Sequence, residues 1–175
     1  MENATTNTKK FILNYGAILG VLSVLLGVIL YVTDSHKEQS WIQSLIGFLI
    51  ILGVIIFGIK AFKTANNGFL TLSQALKIGL GISLVGALIG IIWLFLLTMV
   101  IEPDFTAQLA DMQREKLIEQ YPDFTQEQID QSVEMAQKFS TPYMMAAFSL
   151  IGNLFLGFII SLFGGLIMQK KQDLY

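Results

Sequence analysis

The sequence predicts an all-α protein: a four-pass transmembrane helical bundle with an extracytoplasmic helical hairpin between spans three and four. Three observations predict it. Residues 11–32, 42–59, 78–101 and 143–168 contain no Asp, Glu, Lys, Arg or His, and about 20 apolar residues are what a helix needs to cross the hydrocarbon core. Of the 175 residues, 54% are hydrophobic and 14% charged, more apolar surface than a soluble bundle covers, and none of the four runs has the charged face a soluble helix needs. The remaining long segment, residues 102–142, is acidic and too long for a simple turn. Backbone amides in hydrocarbon must be bonded within their own segment, so the spans are helices. The whole chain, 1–175, reads as a single membrane domain.

Lysines set the orientation. Lys9 and Lys10 precede span one, Lys60, Lys63 and Lys77 separate spans two and three, and Lys170 and Lys171 follow span four. A four-pass chain places all seven on one side, and basic residues mark the cytoplasmic side. Both termini are therefore expected in the cytoplasm, and the acidic segment in the periplasm, exterior or lumen. The opposite side receives the 102–142 segment, where nine carboxylates face only Arg114, Lys116 and Lys138, a net of -6. Span one follows two lysines as a signal peptide would, but it exceeds a usual signal core and no small-x-small cleavage pattern closes it, so it is expected to be retained.

In span one, Gly16, Gly20, Ser23 and Gly27 recur at offsets of four, three and four and mark a narrow face for close helix contact. The short loop after it carries His36, the chain's one histidine, expected to be solvated. Span two is Ile-rich and ends at Lys60 and Lys63, whose stems can reach the headgroups. Asn66-Asn67-Gly68 signals a turn. Ser73 is a candidate cap for the helix entering span three, where Phe69, Leu72 and Leu76 share a face. Span three repeats the spacing of span one in Gly79, Ser83, Gly86 and Gly90. Span four carries Asn153, its deepest strongly polar side chain, beside Gly157; a buried Asn in a membrane helix calls for a hydrogen-bond partner.

Between spans three and four, Pro103 ends or bends the helix. A helix is expected over residues 106–120, with Leu109 and Met112 on one face. Pro122-Asp123 breaks it. Thr125 and Gln128 match a capping box opening a second helix, whose Ile129, Val133 and Phe139 form an apolar stripe. Leu109, Met112, Ile129, Val133 and Phe139 are together the candidate docking surface for a membrane or periplasmic protein partner. Thr141-Pro142 stops the second helix.

Several classes find no support. The chain has no cysteine, which removes thiol chemistry and Cys-based metal sites. The acids lack the calcium-loop pattern, and no nucleophile motif accompanies His36. No enzyme, cofactor or metal site is expected. The net charge of -2 gives no footprint for nucleic acid, and charge-free spans lack the residues of an ion-coupled pump.

The chain resembles the small membrane proteins grouped as domain-of-unknown-function family 4199, common in Bacteroidota, through NYGAILG near span one, GFLTLSQALKIG entering span three, EPDF after it and KFSTP before span four. The resemblance implies four spans and an inner-membrane location, and no activity. Two readings of function follow: a structural or protein-interaction component of the membrane, or an uncoupled transporter or channel component for a small solute. The glycine faces serve contacts within one chain or between copies, so a homo-oligomer is open. The topology is testable: a reporter fused after Tyr175 should be cytoplasmic and one inserted near Tyr121 external, as read by compartment-specific reporter activity.

Overall fold

The computed structural model of the chain describes residues 7–35 and 40–170. Among the described residues, six α-helices follow one another: α1 (Thr8–Val32), α2 (Trp41–Ala65), α3 (Leu72–Leu96), α4 (Phe105–Gln120), α5 (Gln126–Phe139) and α6 (Pro142–Met168). Helices α1, α2, α3 and α6 are long and apolar enough to cross a membrane. α4 and α5 are the two shorter helices between spans three and four.

Local chemistry sets the helix ends. Asn7 caps α1, and Ser40 caps α2. α2 runs past Lys60 and Lys63 to Ala65, then stops where Asn67 and Gly68 take positive φ, 54° and 81°. Asn and Gly tolerate that region at least cost, which is why this tripeptide makes the turn. Thr71, not Ser73, caps α3: Gln74 N–H donates to Thr71 Oγ1, and Thr71 N–H donates to Gln74 Oε1. The reciprocal pair satisfies two end groups where Ser73 would satisfy one. α3 widens into a π-helical turn, Leu97–Ile101, in which Glu102 N–H donates to Leu97 O at 2.8 Å. Pro103 follows, without an N–H to continue the ladder, and Glu102 before it has left the helical region at φ -139°, ψ 76°. Thr141 caps α6 with Pro142 in its first turn, so Thr141-Pro142 opens span four, and α5 ends at Ser140.

α3 packs against α1 on one side and α6 on the other, while α2 touches all three. The α1–α3 contact sets glycine against bulk. A Cβ on Gly20 would fall 2.6 Å from Ile89, one on Gly27 2.6 Å from Trp93, and one on Gly86 2.7 Å from Leu19. Gly16 meets Val85, and Gly81 meets Ile12, so each helix lends glycines to the other's side chains. The α3–α6 contact is reciprocal: a Cβ on Gly79 would overlap Ser161, and one on Gly157 would overlap Ser83. Ser161 Oγ donates to Gly157 O at 2.6 Å, within its own helix. Ser83 Oγ is fully buried with no N or O partner among the described residues. It occupies the space a Cβ on Gly157 would need, so only glycine at 157 leaves room for it.

The two small-residue stripes therefore do not simply face each other. The stripe on α3 divides, Gly86 serving α1 while Gly79 and Ser83 serve α6. Ser23 is exposed on α1, and a side chain at Gly90 would meet open space. Asn153 donates to Ser149 O at 2.8 Å on its own helix, so its need for a partner is met without a neighbouring span.

The hydrophobic core sits toward the lysine-bearing end, around Leu19, Ile55, Ile59, Phe62, Ile78 and Ile82. Toward the other end, residues 41–50 of α2 include none that is buried, and Trp41, Ile42 and Leu49 are more than half exposed. Apolar side chains uncovered along the first half of a span are accommodated by lipid. We predict that Gly86→Leu and Gly157→Leu each destabilise the bundle by about 1–3 kcal/mol or more through overpacking, whereas Gly90→Leu changes stability by less than about 0.5 kcal/mol. Unfolding in mild detergent, followed by circular dichroism, reads the difference.

Candidate functional site

The segment outside the spans is a helical hairpin with a core of its own. Ala110 of α4 meets Ile129 and Val133 of α5, with Leu117 packed at the edge. Ile129 is 2% exposed and Val133 5%. Arg114 pairs with Asp130 across the two helices, and Glu134 pairs with Lys138 one turn apart on α5. These pairs are largely solvated and add little to stability; Arg114–Asp130 is the one that bridges the two helices. Thr125 and Gln128 form the capping box that opens α5. Glu127 in the first turn and Lys138 in the last lie with the helix dipole. At the tip, the Tyr121 and Phe124 rings stack at 4.7 Å and 17° around Pro122-Asp123.

The hairpin meets the bundle through the end of span three. α4 touches the π-helical turn, and Gln108 Nε2 donates to Glu102 Oε1 at 2.8 Å, holding the first turns of α4 to the residue where α3 ends. Phe105 is buried at this junction. Beside it runs a groove of about 840 Å³, floored by Phe105, Leu109, Met112 and Leu117 of the hairpin and Met145 of α6, with Lys116 among its polar edge. A smaller groove of about 320 Å³ lies between Thr106-Ala107 of α4 and the α5–α6 junction at Ser140–Pro142.

The five candidate docking residues take three different places. Leu109 and Met112 line the larger groove. Ile129 and Val133 close the hairpin core, because α5 turns its apolar stripe onto α4. Phe139 is half exposed, with its ring 6.3 Å from that of Phe148 on α6. They do not form one surface. Phe105 and Met145, the groove residues that the sequence reading passed over, carry no distinguishing pattern: one starts a helix after a proline, and the other sits inside an apolar span. Among the described residues no group of three His, Cys, Asp or Glu side chains is placed to hold a metal ion. His36 lies outside the described residues.

Because the hairpin core is so small, one buried charge should open it. In Ile129→Asp, amides of residues 105–139 should lose hydrogen-exchange protection while residues 51–62 of α2 keep theirs. Simultaneous loss of protection in α2 would show that bundle and hairpin unfold as one unit.

No curated protein and no solved structure matches the chain. A family model does, over residues 14–170, from the first span to the pairing residue beyond α6. That match takes in all four spans and the hairpin between the third and fourth, and the chain belongs to the family described as Protein of unknown function (DUF4199).

Proposed function

We propose that the protein is a non-catalytic interaction component of the bacterial inner membrane, and that the base of the α4–α5 hairpin receives an amphipathic segment of a membrane or periplasmic partner. The carrying observation is the groove of about 840 Å³ between the hairpin and α6, where Leu109, Met112 and Met145 stand among Gln113, Lys116, Glu119 and Gln120 and which the chain itself leaves unfilled. A hairpin that closes its own core and is pinned at Glu102 supplies rigidity, which lowers the ordering cost of binding. The polar side chains beside the apolar ones resemble the division of an interface into core and rim.

The bundle interior also favours this reading over solute passage. Its buried polar side chains among the described residues are Ser83, Thr98 and Ser161. Two of these hydroxyls bond a carbonyl of their own helix, Thr98 to Leu94 and Ser161 to Gly157, and the third lies against the Gly157 backbone. They fill helix contacts rather than present a path of open polar groups.

The test is a photocrosslinking residue placed at Leu109 or Met112 in cells, compared with one at Glu127 on exposed hairpin surface. A discrete protein adduct at the two groove positions and not at Glu127 is the expected result. Adducts with lipid alone at Leu109 and Met112 would reject a protein-docking role for the groove.

A further inference from the structure

Six of the lysines at one end of the bundle lie among the described residues, and no described carboxylate lies in the stretches of sequence that carry them. Lys9 and Lys10 begin α1, Lys60 and Lys63 lie in the last turns of α2, Lys77 lies in the second turn of α3, and Lys170 follows α6. Every described acid lies elsewhere: Asp34 follows α1, and the remainder fall between Glu102 and Glu134. None of the six lysines makes an ion pair with a described residue.

The fold holds these charges together. The Phe11 and Phe62 rings meet edge-on at 5.6 Å, joining the start of α1 to the end of α2. Leu70 and Lys170 exchange both backbone hydrogen bonds at 2.9 Å, which ties the chain beyond α6 to the α2–α3 connection. The Lys170 ammonium stands over the Phe69 ring, 5.7 Å from its centre. Lys60, Lys63, Lys77 and Lys170 thus share the end of the bundle where α2 and α6 finish and α3 starts.

Position decides which anion they meet. α2 has 25 residues, about 37 Å of helix at 1.5 Å per residue, against roughly 30 Å of hydrocarbon. Its last turns, with Lys60 and Lys63, therefore reach the headgroup layer. Ammonium groups gathered there repel one another until a counter-charge arrives, and the counter-charge dense in that layer is lipid phosphate.

We propose that this end of the bundle binds anionic phospholipid headgroups through the ring of lysines at its rim, Lys60, Lys63, Lys77 and Lys170 among them. It is separate from the hairpin groove and does not depend on it. Each lysine near an anionic surface contributes about 1 kcal/mol, so removing three weakens binding about 100-fold.

The full chain, reconstituted in nanodiscs of mixed phosphatidylglycerol and phosphatidylcholine, is released into the gas phase and its retained lipids are counted by native mass spectrometry. The unchanged chain should retain phosphatidylglycerol in preference, and the preference should fall as salt is raised before release. K60Q/K77Q/K170Q should lose the preference, and K60R/K77R/K170R should keep it. Equal retention of the two lipids by the unchanged chain overturns the proposal, with no variant needed. So does full preference in the folded glutamine variant, or loss of the preference in the presence of a soluble acidic peptide that lipid cannot displace.

Discussion

In a bilayer, helices gain nothing by hiding apolar surface from one another, because lipid is as apolar as they are. What remains is contact itself: dispersion between closely fitted atoms and the few bonds that close approach permits. In this protein that contact is concentrated on α3, which touches every other span. Gly79, Ser83 and Gly86 set how near its neighbours come. Where α3 meets α6, each serine fills the space the opposite glycine leaves, so neither backbone is held away by a Cβ. The position of α2, which touches α1, α3 and α6, follows from how those three are already arranged.

This concentration makes the two ends of the bundle unlike. Toward the lysines, large residues such as Ile55, Ile59 and Phe62 are enclosed, and the Leu70–Lys170 pair seals the end. Toward the hairpin, α2 departs from its neighbours and its side chains are uncovered. α4 and α5 sit over that looser end, linked to it through a π-helical turn, the Gln108–Glu102 bond and the Phe139–Phe148 ring contact.

The spans were legible in the sequence because exclusion of charge over 20 residues is a strong signal and backbone satisfaction leaves a membrane segment few alternatives. The Thr125 capping box and the Asn66–Gly68 turn were legible because two or three neighbouring residues suffice to specify them. The pairing of spans was not. Gly16, Gly20, Gly79 and Gly86 share a spacing, but a spacing gives a face and not its occupant. Gly81, whose space Ile12 takes, falls outside the repeat altogether. The hairpin shows the same limit. Ile129 and Val133 announced an apolar stripe, and only the fold determines that Ala110 covers it.

The reciprocal fit of Gly79 and Ser83 with Gly157 and Ser161 has a consequence for fidelity. Each helix carries the same Gly-x-x-x-Ser word, and the two words interlock only when read in opposite directions. A helix of that kind would suit an antiparallel copy of itself. The membrane forbids the mistake: insertion gives every copy of α3 one direction and every copy of α6 the other, so an α3 can never meet a second α3 head to tail. The orientation imposed at insertion therefore acts as a proofreading step, leaving α6 the partner for which the word can be read.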